Sequence, residues 1–99
     1  MEKTVLTEIF DMLRGMNVVA NEGEFSRDWL GRSECYLRSV RFKGTEPSVA
    51  TIAICASKLQ HYGNQLVKQT DHRELGRRFL SLSEQCHAQI NQQSKAMWL

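Results

Sequence analysis

The sequence predicts an all-α protein of one domain, and three observations support this prediction. Apolar residues recur at three- and four-residue steps in long blocks. No segment alternates apolar and polar residues for long enough to indicate a half-buried strand. One proline and six glycines leave the long blocks almost uninterrupted. Because a chain of 99 residues is too short for two independent cores, we assign residues 1–99 to a single domain.

The first predicted helix runs from Thr4 to about Met16. Its apolar side chains fall on one stripe of a helix, made of Val5, Ile9, Met12, Leu13 and Met16. Residues 17–23 then predict a loop, whose Val18-Val19 pair is expected to pack against the core.

Two longer helices are predicted in the second half of the chain, from Ser48 to about Gln69 and from Asp71 to about residue 93. Ser48 is the expected N-cap of the first, and Asp71 with Glu74 predicts a variant capping box for the second. Each helix carries an apolar seam: Val49, Ile52, Ala56, Leu59, Gly63 and Leu66 in one, and Leu75, Phe79, Leu82, Cys86 and Ile90 in the other. The short connection between them favours an antiparallel hairpin over residues 48–93.

Residues 24–44 contain two shorter helical pieces separated by Gly31-Arg32-Ser33. A helix-turn-helix needs a residue that tolerates positive φ in its turn, and Gly31 supplies one. It also needs apolar anchors that hold the second helix against the first, and Leu30, Leu37 and Val40 fall at suitable positions. The second helix is predicted over residues 33–42, with Ser33 as its N-cap. Trp29, Tyr36 and Phe42 recur at helical steps, which favours the core over base stacking.

The same stretch is locally basic, with five basic residues against two acidic ones between Ser26 and Lys43. A basic, polar outer face is what a helix needs to enter the major groove of DNA. The formal net charge of the whole chain, by contrast, is only +2 at pH 7, so total charge alone does not argue for nucleic acid.

From Leu30-Gly31 through Tyr36, Leu37 and Val40 to Gly44, and on through Pro47-Ser48 to Leu59, the chain resembles the Cro/lambda-repressor class of helix-turn-helix domains. The resemblance covers residues 24–59, with the first predicted helix able to serve as helix one. It implies a repressor-like helix-turn-helix core over about residues 4–59. The segment after Gln60 lies outside the resemblance, and the predicted long C-terminal helical hairpin extends the core over about residues 60–99. The resemblance also implies binding of double-stranded DNA.

Carried over residue by residue, the resemblance implies two sets of DNA contacts. The residues expected to face the bases are Ser33, Glu34, Cys35, Arg38 and Ser39, and those expected nearer the phosphates are Arg32, Arg41 and Lys43. Arg38 is the best candidate for direct readout, because a guanidinium can bond a guanine edge through two hydrogen bonds. Ser33 would contact a phosphate in addition to capping the helix.

The chain departs from the family pattern in three places. The family prefers a small residue, usually alanine, four positions before the turn glycine, where this chain has Arg27. A slip of one residue would place Ser26 there instead. The second helix is also one residue longer before its glycine, and Glu34 would repel phosphates unless it accepts a hydrogen bond from a cytosine amine.

Other chemistry has little support in the sequence. The three histidines, His61, His72 and His87, do not combine with Cys35, Cys55 or Cys86 at the spacings of a zinc site, so no metal and no cofactor are expected. Cys35 fits either a redox switch or a small apolar filler. No acid–base pair or phosphate-binding loop indicates an enzyme. The absence of a secretory leader and of a long apolar run predicts a cytoplasmic protein that does not enter membranes.

We therefore expect a non-enzymatic, sequence-specific DNA-binding protein, either a small transcriptional regulator or an antitoxin-like repressor. It is expected to act as a homodimer through helices 48–69 and 71–93. The alternative is a helical protein–protein interaction module with a repressor-like fold that does not bind DNA, since fold and function separate readily.

Overall fold

The computed structural model describes residues 4–99, and this part of the chain consists of helices and connecting turns without a strand. The helices are α1 (Val5–Gly15), α2 (Glu22–Trp29), α3 (Tyr36–Lys43), α4 (Val49–Leu66) and α5 (Arg73–Trp98), with a 3₁₀ turn at Thr70–His72. The predicted all-α class is confirmed. None of the described helices has the length and apolar character needed to cross a bilayer.

Helix α1 begins one residue after Thr4, whose hydroxyl accepts a hydrogen bond from the Thr7 amide. Its buried face is turned slightly from the predicted stripe and consists of Leu6, Ile9, Phe10 and Leu13. Met16 was expected in the core but is 37% exposed, because the helix ends at Gly15. Of the valine pair that follows, Val19 is buried as expected and Val18 is exposed.

Helices α4 and α5 form the predicted antiparallel hairpin, which is the most extensive helix pair in the fold. Ser48 caps α4 as expected, since its Oγ accepts a hydrogen bond from the Thr51 amide at 3.2 Å. Both predicted seams face inward, with their end residues Val49, Leu66, Leu75 and Ile90 half-buried and the rest buried. The buried Cys55 and Cys86 meet across this contact.

The two hairpin helices approach most closely at Gly63 and Gly76. A Cβ added to Gly76 would lie 2.6 Å from the Val67 amide nitrogen and 2.9 Å from the Gly63 carbonyl oxygen. Real Cβ atoms do not come this close to backbone atoms, so the crossing requires glycine at position 76.

The predicted capping box of α5 is wrong. Residues 70–72 wind as a 3₁₀ turn in which the His72 amide donates to the Gln69 carbonyl, so α5 begins at Arg73 instead of Asp71. The N-cap position is therefore His72, which makes no side-chain capping bond. At its other end, α5 continues to Trp98, and the Gln93 side chain donates to the Pro47 carbonyl, tying α5 to the α3–α4 loop.

Candidate nucleic-acid interface

Helix α2 is followed by the turn that the sequence predicted. Asn21 caps its start by accepting from the Glu24 amide at 2.9 Å. Gly31 then adopts a φ of +65°, which an L-residue rarely tolerates, and a hydrogen bond of 3.0 Å from the Arg32 amide to the Ser26 carbonyl closes the turn. The side chain nearest to Gly31 is Ile54 of α4, so the turn lies against the next helix.

Helix α3 begins later than predicted. The expected helix over residues 33–42, capped by Ser33, is wrong at its start. The Tyr36 amide donates to the Ser33 carbonyl, so residues 33–36 form a separate turn and the helix runs from Tyr36 to Lys43. Its N-cap position is Cys35, which makes no side-chain capping bond.

The C-terminus of α3 is closed by Gly44 in the left-handed conformation, at a φ of +66°. The Thr45 amide donates to the Val40 carbonyl and the Gly44 amide to the Arg41 carbonyl, which is the Schellman pattern. Glycine is needed here for the same reason as at position 31.

Helices α2 and α3 are held together by most of the predicted anchors. Leu30 and Leu37 are buried and Val40 is half-buried. Trp29 lies in the core as expected, and Tyr36 is half-buried against α4.

Phe42 contradicts the sequence prediction, because 91% of its surface is exposed instead of buried in the core. Successive residues of an α-helix are separated by about 100°. Phe42 follows Val40 by two residues and Leu37 by five, so its side chain leaves the helix on the side opposite these anchors. Trp29 and Tyr36 are seven residues apart, but Phe42 follows Tyr36 by only six residues, so it does not continue their buried face.

Ser26, and not Arg27, occupies the place that the repressor resemblance reserves for a small residue. Ser26 is fully buried, whereas Arg27 is exposed. The one-residue slip considered from the sequence therefore describes the packing. The hydroxyl of Ser26 is buried without a hydrogen-bond partner among the described residues.

Ser26→Ala is expected to raise the free energy of unfolding by about 1 kcal/mol, because it removes a buried polar group that has no partner. Denaturation in urea measures the change. Ser81→Ala, at an exposed position of α5, is the control for the higher helix propensity of alanine. A Ser26→Ala protein less stable than the Ser81→Ala protein would show that the hydroxyl is bonded.

The outward face of α3, which we define as Cys35, Arg38, Ser39 and Phe42, is exposed along its whole length. Arg38 lies near the centre of this face. Its described side-chain hydrogen bond is to the Cys35 sulfur at 3.5 Å, and no carboxylate among residues 4–99 lies within ion-pair distance of it. Its charge is therefore available to a ligand.

Two other predicted contact residues form ion pairs within the two-helix unit, by which we mean α2, α3 and the turn between them. Glu34 lies 3.2 Å from Arg27, and Arg41 lies 2.9 Å from Glu22. The Arg27–Glu34 pair is solvent-exposed, so it contributes little to stability. The Arg41–Glu22 pair is half-buried, and the Glu22 Oε1 that faces Arg41 is itself buried. Both pairs neutralise the two glutamates that flank the outward face.

Arg32 lies at the start of α4 instead of facing outward. Its Nε donates to the Thr51 hydroxyl at 2.8 Å and an Nη donates to the Ser48 hydroxyl at 3.2 Å. Its guanidinium also lies over the Tyr36 ring, whose hydroxyl accepts a hydrogen bond from the Ser48 amide. Burial raises the pKa of Tyr36, but the hydrogen bonds to Thr51 and Ser48 and the charge of Arg32 outweigh it, so the net pKa is lowered. Through these contacts, Arg32 and Tyr36 connect the turn after α2 to the start of α4.

A polar cleft lies beside α3, between it and the start of α2. It is lined by the side chains Arg14, Asn21, Glu22, Glu34, Arg38 and Arg41 together with Ala20 and Gly23. Three arginines against two glutamates make it positive. Sequence reasoning missed Arg14 and Asn21, although a basic residue at the end of the first predicted helix was a usable signal.

The other predicted contact residues lie outside this cleft. Ser33, Ser39 and Lys43 are exposed without a described side-chain partner.

The histidines do not assemble a further site. His61, His72 and His87 are all exposed, and residues 4–99 contain no group of three or more potential metal ligands.

Comparison with protein families places the chain in one of them. The matching model spans residues 6–99 and is described as a family of unknown function, DUF6626, so the chain belongs to that family. No curated protein and no solved structure matches it.

Proposed function

We propose that this member of the DUF6626 family is a sequence-specific DNA-binding protein of the repressor type, acting as a small transcriptional regulator or an antitoxin-like repressor. The observation that carries the proposal is the exposed face of α3, on which Arg38 lies at the centre with no carboxylate of residues 4–99 within ion-pair distance. The turn after α2, the buried anchors of α3 and the cap on α4 together hold that face away from the core.

Arg38 and its neighbours divide into base-reading and phosphate-binding groups. Arg38 and Ser39 on the outward face would contact base edges in the major groove. Arg14, Arg41 and Asn21 line the cleft at the flank, where the duplex backbone would pass. Lys43 adds a charge at the end of α3. Arg32 is reassigned from the phosphates to a structural role, because its hydrogen bonds hold it against α4.

The acidic residues of this region do not oppose the proposal. Glu22 and Glu34 are each paired with an arginine, which cancels their repulsion of phosphates at close range. Glu34 is also free to exchange Arg27 for a cytosine amine, since the pair is exposed.

DNA binding is tested first by fluorescence anisotropy on a random duplex and on the DNA upstream of the chain's own coding sequence. The expected result is binding that weakens steeply as the salt concentration rises, because bound arginines and lysines release counterions from the phosphates. A folded, helical sample that binds neither duplex at low salt would contradict the proposal and favour the protein–protein interaction module.

Phe42 is expected to contact thymine methyl groups, because it is an exposed aromatic ring on the same face as Arg38 and phenylalanine makes apolar contacts with those groups. Phe42→Ala should weaken binding to a selected DNA site by about 3- to 10-fold, corresponding to about 1 kcal/mol of apolar burial. Replacing the contacted thymine by uracil should weaken wild-type binding similarly and leave Phe42→Ala binding unchanged.

Val18→Ala is the control for Phe42→Ala, since Val18 is an exposed apolar residue outside α3. If wild type and Phe42→Ala respond equally to uracil, Phe42 does not read the methyl group.

A homodimer remains part of the proposal, but not through the two seams that suggested it, because these pack on each other within one chain. Helix α4 retains an exposed face with small or uncharged side chains, Ala50, Ala53, Ile54, Ser57 and His61. Ile54, 45% exposed, is its largest apolar residue. Sedimentation equilibrium of the wild type and of Ile54→Lys tests this: the wild type should be dimeric and the variant monomeric. A monomeric wild type at micromolar concentration would contradict it.

A further inference from the structure

A second cleft, which we call the aromatic cleft, lies on the side of the fold where α2, α4 and α5 meet. Its volume is about 710 Å³, within the range of sites that bind small molecules. Three rings contribute to it, one from each helix: Trp29, Tyr62 and Phe79. Trp29 and Phe79 are buried, whereas Tyr62 is 40% exposed, so the first two form the floor and Tyr62 part of the rim.

The rim of the aromatic cleft exposes apolar side chains to solvent. Met16 is 37% exposed and Val18 is 43% exposed, and both come from the loop after α1. Together with Tyr62 they leave apolar surface uncovered around an apolar floor. The rest of the rim is polar and includes Gln65 and Gln69. A concave site that combines an apolar floor with convergent polar groups is typical of a ligand pocket.

Lys58 is the charged group of the aromatic cleft that lies over its rings. Its ammonium lies 4.7 Å from the centre of the Trp29 ring and 6.0 Å from that of Tyr62, and it donates to the Asp28 carbonyl at 2.6 Å. These contacts fix the position of the ammonium group. No carboxylate among the described residues lies within ion-pair distance of it, and an ammonium has three donors, of which only one is used here.

The other charges of the cleft add no net positive charge. Arg27 and Asp28 also line it, and Arg27 is paired with Glu34 on its outer side. With Arg27 paired in this way, the preference for an anionic ligand rests on Lys58, whose ammonium lies over the aromatic rings with donors left free.

We infer that the aromatic cleft binds a small aromatic carboxylate. The ring of the ligand packs against the cluster of Trp29, Tyr62 and Phe79, whose rings already contact one another. Its carboxylate accepts hydrogen bonds from the free donors of Lys58. The inference does not depend on DNA binding. Because Trp29 lies at the end of α2, two residues before the turn glycine, an occupied cleft would contact the base of the two-helix unit.

The test uses the full chain carrying Trp98→Phe, which leaves Trp29 as its only tryptophan. The probes are phenylacetate, phenylacetamide and 2-phenylethylamine, which share a ring but differ in charge. The indole N–H resonance of Trp29 is followed by NMR during titration. The expected result is a saturable shift with phenylacetate, at least about 10-fold weaker binding of the amide because a charge-assisted hydrogen bond is lost, and no binding of the amine.

Variants of Lys58 test the assigned residue. Lys58→Met should weaken phenylacetate binding about 10-fold, and Lys58→Arg should retain most of it. Lys68→Met is the matched control, because Lys68 is an exposed lysine outside the cleft. No saturable shift with phenylacetate, equal binding of acid and amide, or binding unchanged in Lys58→Met would each overturn the inference. The probe series on the unsubstituted site decides the question even if a Lys58 variant does not fold.

Discussion

Gly76→Ala is expected to lower the free energy of unfolding by about 2 kcal/mol, because overpacking at a backbone contact outweighs the helix propensity that alanine gains. The added Cβ would meet the Val67 amide nitrogen at 2.6 Å and the Gly63 carbonyl oxygen at 2.9 Å. Backbone atoms in two packed helices cannot move aside independently. The helices must separate, which loosens the seams along their whole length.

Two other glycines make this prediction a graded series. Gly63→Ala should be less destabilising, because the nearest atoms to its Cβ, at 2.8 and 2.9 Å, belong to the flexible side chain of Leu80. Gly15→Ala should be neutral or stabilising by up to about 1 kcal/mol, because nothing lies within 4 Å of its Cβ and alanine is the better helix former. Thermal and urea denaturation of the three variants measure the order. Equal stability of Gly76→Ala and Gly15→Ala would mean that α4 and α5 do not cross so closely.

Arg38→Ala is expected to weaken DNA binding by about 10- to 100-fold on a selected site, the range for loss of one bidentate contact to guanine. The stability of the protein should not change, because Arg38 is exposed and its side-chain hydrogen bond within residues 4–99 is a long one to the Cys35 sulfur. The loss should be larger on the selected site than on random DNA, since a base contact distinguishes sequences and a phosphate contact does not.

Arg77→Ala is the control for charge alone. Arg77 is an exposed arginine on α5 that pairs with Glu74, outside both α3 and the polar cleft. Its removal should change affinity less than about 2-fold, because surface charges distant from the interface act only through screened, long-range electrostatics. Equal losses for the two variants would mean that binding follows total charge and does not use the face of α3.

The long helices could be predicted from sequence because their patterns repeat over many turns. The seams of α4 and α5 contain enough apolar positions for one face to be defined unambiguously, and the burial of those positions confirms them. The start of α5 was predicted wrongly, because Asp71 and Glu74 suit a capping box that the competing 3₁₀ turn displaces.

The errors at the candidate site have a common physical cause, which is that short elements are determined by distant contacts. Helix α3 has only eight residues, so its pattern could not decide whether Phe42 faces the core or the solvent. Arg32 was predicted to lie near the phosphates, but Thr51 and Ser48, which follow it by 19 and 16 residues, hold its guanidinium. The aromatic cleft combines rings from three helices, a proximity that no local pattern indicates.

The most direct test of DNA recognition is selection of binding sites from a pool of random duplexes by the wild-type protein. The expected result is enrichment of one motif, arranged as two inverted half-sites separated by about one helical turn, or 10 base pairs, if the protein binds as a dimer. Arg38→Ala should fail to enrich the same motif. A pool that remains random after repeated rounds, with a folded wild-type protein, would contradict sequence-specific DNA binding.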